Sequence, residues 1–141
     1  MSAKVSIIKC LDYNSKEVFR AVHDALELIG GIKSFVKTGQ KVLLKPNMLS
    51  AKDPKRGITT HPLILEAMIR EVRKAGGEIW IGDSPSGALK GVRRCWVNTG
   101  FLEVAEKMRA ILINFETGGT YIKIIEGEEV HFAESVIKAD V

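Results

Sequence analysis

Two short stretches hold most of the side chains in this sequence that can do chemistry. Lys45-Pro46-Asn47, followed by Thr59-Thr60-His61-Pro62, collects an ammonium, a carboxamide, two hydroxyls and an imidazole. Gly82-Asp83-Ser84-Pro85 adds a carboxylate and a further hydroxyl. Lys45 is a cation for an anionic ligand, and Pro62 at a first helical position would present free backbone N–H groups and the positive end of a helix dipole to the same charge. Thr59 and Thr60 add donors. Asp83 suits three tasks: an oxygen ligand for a divalent cation, an acceptor for a sugar hydroxyl, or a general base. His61 can serve as a base or a metal ligand.

Each residue also has a plain structural role. Thr60 or His61 can cap the helix, Lys45 can be a solvated strand-end lysine, and Asp83 with Ser84 can form an Asx-type turn before Pro85. The sequence has no GxxxxGK[ST] loop, no GxGxxG after its first apolar run, no GxSxG elbow and no paired carboxylates, so it lacks the usual signatures of nucleotide hydrolysis and acyl transfer.

The elements that must position these residues alternate. Val5 to Ile8 is a short β-branched run that reads as an opening strand. Ser15 to Gly30 has helical spacing, with Val18, Phe19, Val22, Ala25, Leu26 and Ile29 on one face. Val42-Leu43-Leu44 lacks polar alternation, as a strand buried on both faces should, and Pro46 ends it. A basic loop from Ser50 to Gly57 leads to a helix beginning near Pro62 and closed by Gly76-Gly77. Glu78 to Ile81 is the next strand. Helical stretches over Leu89 to Val97 and from Phe101 precede a further strand, Ile111 to Phe115. Tyr121 to Ile125 and Val130 to Phe132 predict an antiparallel hairpin, and Ala139-Asp140-Val141 reads as the entrance to another buried strand. The pattern predicts one α/β domain over residues 1–141, with a mostly parallel open sheet, helices on both faces and a small hairpin near the C-terminus. In such sheets the ligand crevice lies beyond the carboxyl ends of the strands, where Lys45 and Asp83 both fall.

Composition narrows the classes. The chain is 45% hydrophobic and 27% charged over 141 residues, an ordinary globular balance. It contains no apolar run of the roughly 20 residues needed to span a bilayer, and Met1 to Lys9 does not resemble a signal peptide, so a cytoplasmic protein without membrane contact is expected. Cys10 and Cys95 stand apart with no CxxC spacing. The net charge of +4 is uneven: residues 111–141 carry −4, leaving +8 on the first 110. Lys52, Lys55, Arg56, Lys90, Arg93 and Arg94 lie in or beside expected loops, which suggests an anionic partner; with Trp96 they also permit a nucleic-acid reading, which ranks below a solvated basic face.

Taken in order, Lys41-Val42-Leu43-Leu44-Lys45-Pro46-Asn47, Thr59-Thr60-His61-Pro62, Ala75-Gly76-Gly77 and Ile81-Gly82-Asp83-Ser84-Pro85 resemble the amino-terminal half of the domain of unknown function 362 family. That resemblance covers nearly the whole chain. It implies a longer protein, cut near residues 139–141, whose missing C-terminal half is this domain's partner and, in family members with a ferredoxin-type region, carries the iron–sulfur cysteines. No cofactor is therefore expected in this chain itself beyond a divalent cation near Asp83. The expectation is a binding domain for a small anionic ligand, phosphate- or carboxylate-bearing, within a redox-linked protein, with Lys45, Asn47, Thr59, Thr60, His61, Asp83 and Ser84 as the ligand site. An enzyme whose site is completed by the missing half is the alternative, and a nucleic-acid-binding module the third reading.

Overall fold

A computed structural model describes residues 3–85 and 88–141, with backbone alone at 88–90. Three strands, β1 (Lys41–Leu44), β2 (Glu78–Asp83) and β3 (Ile111–Asn114), form a parallel sheet in the order β1-β2-β3. Its register sets Leu43 beside Trp80 and Trp80 beside Ile111, so alternate residues of neighbouring strands share a face. Helices α1 (Ser15–Glu27), α2 (Pro62–Lys74), α3 (Ala88–Asn98) and α4 (Phe101–Lys107) supply the cover, and the expected α/β class is observed.

The core lies on one face of the sheet. Val42, Ile79 and Ile81 point into it from the strands and meet Leu65, Ile69 and Val72 of α2 together with Phe101, Val104 and Ala105 of α4. α1 packs behind α2, where its Val18 is fully buried. Two carboxylates on α2 are buried in this layer, and each is paired. Glu66 accepts from Arg70 at 2.6 Å and from Lys107 of α4 at 3.0 Å, while Glu71 meets Lys74 and lies 3.2 Å from His23 of α1. One helix is thus tied to both of its neighbours by ion pairs at its buried edges.

The opposite face carries Leu43, Trp80, Ile111 and Ile113 and has lighter cover. β4 (Thr120–Ile125) and β5 (Glu128–Ala133) form the expected antiparallel hairpin, and α5 (Glu134–Lys138) follows it, bringing Val136 beside Leu43 and Phe115. Ile111 is left 52% exposed, so this second face is only partly sheltered.

The two ends of the chain differ from each other. Val5 to Ile8 is not a strand: the segment has no regular secondary structure, with Val5 and Ile7 83% and 87% exposed. The outer edge of β1 is occupied by the last residues of the chain. The Val141 N–H donates to the Lys41 carbonyl at 3.2 Å, and the Leu43 N–H donates to the Val141 carbonyl at 2.8 Å. These bonds set Val141 alongside Val42, although residues 139–141 carry no regular secondary structure. The Asp140 carboxylate adds a bond from the Lys41 N–H at 2.7 Å.

Candidate functional site

The carboxyl ends of β1 and β2 are joined by one carboxylate. Asp83, the last residue of β2, is 7% exposed. Its Oδ2 accepts the Met48 N–H at 2.7 Å and its Oδ1 lies 2.9 Å from the Lys45 ammonium. Lys45 Nζ also donates to Asn47 Oδ1 at 3.0 Å. Pro46 has already ended β1, so the chain crosses the end of β2 as it passes from Lys45 to Met48. The Met48 side chain, 1% exposed, plugs the turn into the core, its sulfur 3.7 Å from the Thr99 hydroxyl.

A second stretch closes on this turn. Met48 and Thr59 form an isolated antiparallel bridge, and the Thr60 N–H donates to the Asn47 carbonyl at 2.8 Å. Between them opens a cleft of about 410 Å³ lined by Lys45, Asn47, Met48, Leu49, Ile58, Asp83 and Ser84. Four of the seven residues singled out from sequence, Lys45, Asn47, Asp83 and Ser84, therefore share one wall system. Thr60 borders a different groove of about 270 Å³, which it shares with Lys45, Pro46, Ile64 and Met68. The Thr59 hydroxyl is buried, with no hydrogen-bond partner among the described residues.

His61 is occupied elsewhere. It is the N-cap of α2: its Nδ1 accepts the Leu63 N–H at 3.2 Å, and its ring stacks on Tyr13 with centroids 3.8 Å apart. Burial holds its pKa below the ordinary histidine value, against the opposing pull of Asp53, which favours the neutral ring that an acceptor needs. The helix start thus has one of its free N–H groups capped from within. Both Asp83 oxygens are engaged as well, so a divalent cation there would compete with the Lys45 ammonium for the same carboxylate. No group of three or more His, Cys, Asp or Glu side chains able to hold a metal is found among the described residues.

Sequence reasoning missed an apolar wall beside Lys45. Gly82 sits in the interior of β2, and a Cβ there would lie 2.9 Å from Cζ of the Phe115 ring and closer still to Cε1. The ring therefore rests directly on the β2 backbone. Phe115, Leu43, Val136 and Asp140 line a second cleft of about 420 Å³ that also reaches Lys45. A glycine inside a strand often marks such a close approach, and that signal was present in the sequence.

The basic residues divide. Arg93 and Arg94 are exposed on α3, and Lys55 and Arg56 lie on a short 3₁₀ turn, Pro54–Arg56. Trp96 packs against the core, which limits the face it can offer to a base. The Lys90 side chain and the Ser86-Gly87 part of the turn after Asp83 lie outside the described residues. Cys95 is buried, which pushes its thiol pKa up, and Cys10 is exposed. Among the described residues no helix is long and apolar enough to cross a membrane.

An open parallel α/β domain with a lysine–carboxylate pair across its strand ends and clefts on either side is the class that fold and site define. Residues 42–141 match the family described as Domain of unknown function (DUF362), and the chain belongs to it. A thylakoid-associated protein of Synechocystis sp. is 34% identical over 122 residues, covering 86% of this chain and 37% of that protein. The chain thus spans little more than a third of that relative's length. No solved structure matches it.

Proposed function

We propose that this domain binds a small ligand through a phosphate or carboxylate group placed against Lys45. The observation that carries the reading is the posture of that ammonium: Asn47 and Asp83 hold it at 3.0 and 2.9 Å at the mouth of the strand-end cleft, while the side chain stays 53% exposed. A lysine has three N–H donors, so two fixed bonds leave one for a ligand. Because Asp83 neutralises much of the charge, affinity comes from geometry and from the wider field of the first 110 residues, which carry a surplus of basic groups. Ser84 offers a hydroxyl at the same cleft. Thr59, Thr60 and His61 support the turn in this reading; they do not touch the ligand.

The test is an amide-resolved NMR titration with inorganic phosphate on the native chain and on Lys45→Met. Saturable shifts at Asn47, Met48 and Ser84 that vanish in the variant are expected. Shifts that persist in Lys45→Met would remove Lys45 from the site.

A catalytic role completed by further polypeptide is the second reading, favoured by the chain's coverage of only 37% of its relative. Turnover of a phosphate- or carboxylate-bearing compound by a longer protein, lost with Lys45→Met, would establish it. The redox link and the iron–sulfur cluster belong to that longer protein in this proposal, and an iron and sulfide assay on it is the corresponding check. A cytoplasmic location is part of the same proposal, supported by two unpaired cysteines, one of them exposed. Cell fractionation tests it, with the membrane fraction as the contrary outcome.

A further inference from the structure

We infer that the ligand at Lys45 is an organic anion charged at one end only, with an aromatic or otherwise apolar body, and that this body lies in the cleft walled by Leu43, Phe115 and Val136. The inference rests on the anion-binding reading of Lys45 and extends it to the rest of the ligand. Among the described residues Lys45 alone lines both the polar cleft with Asn47, Asp83 and Ser84 and the roomier, mostly apolar cleft of about 420 Å³ on the second face of the sheet; it also borders the smaller groove of about 270 Å³ with Pro46, Ile64 and Met68. A ligand whose charged end meets the ammonium has its remaining atoms directed along one of these walls.

Of these, the cleft of about 420 Å³ has the most room for a ring. The Phe115 ring lies against Gly82, where a Cβ would collide with it, so the β2 backbone supports one side of the ring. Leu43 is half-buried beside it, and Val136 is 39% exposed, leaving apolar area to cover. The charged group on the far rim selects against a second anionic group at that end. The Asp140 carboxylate lines this cleft, tied by one oxygen to the Lys41 N–H at 2.7 Å, and would repel a dianion that stretched across it. The chemistry that fits is therefore one anionic end and a neutral, apolar remainder.

The experiment compares phenyl phosphate, inorganic phosphate and phenol on the same chain by NMR titration. Phenyl phosphate is expected to bind about tenfold tighter than inorganic phosphate, a modest return for partial burial of one ring. It should also shift the Leu43, Phe115 and Val136 amides, which inorganic phosphate leaves in place. Val136→Ser, a change at a partly exposed position, should erase the tenfold advantage and leave phosphate binding as it was. Lys45→Met should bring phenyl phosphate down to the level of phenol. If phosphate saturates the Asn47 and Ser84 signals but phenyl phosphate binds no tighter, the apolar cleft is not part of the site and only the anion reading survives. Equal affinity for phenol and phenyl phosphate would overturn the inference from the other side, by detaching the cleft from Lys45. Failure of both phosphates to bind would overturn this inference and the anion reading together.

Discussion

Lys45 and Asp83 meet at 2.9 Å across the ends of two neighbouring parallel strands, with the second Asp83 oxygen holding the Met48 backbone. One carboxylate thereby sets both the orientation of the cation and the path of the turn that follows it. Asp83→Ala should cost about 1–3 kcal/mol in urea unfolding, because a buried N–H is left without its acceptor. Asp83→Asn, which keeps an acceptor for Met48, should cost less. The same Asn variant separates two roles for Asp83: if it only positions Lys45, phosphate affinity should rise when the neutralising charge is removed. A fall in affinity would mean that Asp83 itself holds the ligand or a cation.

The Phe115 ring occupies the space of a side chain that Gly82 lacks. Gly82→Ala should therefore force the ring off its seat and destabilise the domain by about 1–3 kcal/mol, the usual penalty for overpacking. Pairing it with Phe115→Leu should recover part of that loss. Thermal melts of the single and double variants check this, and additive losses would show that the two sites do not share the space.

Stability should fall in acid through Glu66 and Glu71. Burial alone would raise both carboxyl pKa values, but Arg70 and Lys107 around Glu66, and Lys74 and His23 around Glu71, bring each below the ordinary value of 4.5. A group with a depressed folded pKa contributes its stability fully above the unfolded pKa and loses it as pH falls through the folded one. The urea midpoint should thus hold steady above about pH 5 and drop below pH 4.5. In Glu66→Gln the drop should be shallower, and an unchanged profile would show that this ion pair contributes nothing.

At His61 the sign is the same for a different reason. Its pKa lies below the ordinary histidine value of 6.5, so protonation is resisted by the fold and the cap is complete above that pH. As pH falls through the folded pKa, Nδ1 gains a proton and can no longer accept from Leu63, and the start of α2 should fray. His61→Ala should cost about 0.5–2 kcal/mol at pH 7.5 and His61→Asn much less, since asparagine is a good cap. A histidine titration by NMR with a midpoint at or above 6.5 would contradict this account.

Parts of this molecule are decided by residues close together in the chain. Pro62 preceded by His61 starts α2 where the sequence alone places it, because proline's fixed φ and missing N–H suit the first helical turn. Gly76, with φ +83°, stops the same helix after Ala75, since a side chain resists that conformation. The triplet Val42-Leu43-Leu44 announces β1, and the two β-runs around Glu126-Gly127 announce the hairpin. Lys45, Asn47, Asp83 and Ser84 were legible as site candidates because strand ends in parallel sheets are where clefts form.

What only the tertiary structure decides is which strand edge is free and which side chains meet across it. Val5 to Ile8 has strand-like residues yet pairs with no described strand, while Asp140 and Val141 hold the outer side of β1. Thr59 bridges Met48 through its backbone, and His61 uses Nδ1 to cap Leu63, contacts that only the folded chain brings about. Phe115 gave no local sign of lining a cleft, since its seat on Gly82 depends on the pairing of β2 with β3. The sequence by itself determined the elements and their order, through dihedral preference and periodicity, which are short-range. Strand neighbours and registers set the geometry of the site, and they follow from the burial of the whole chain at once.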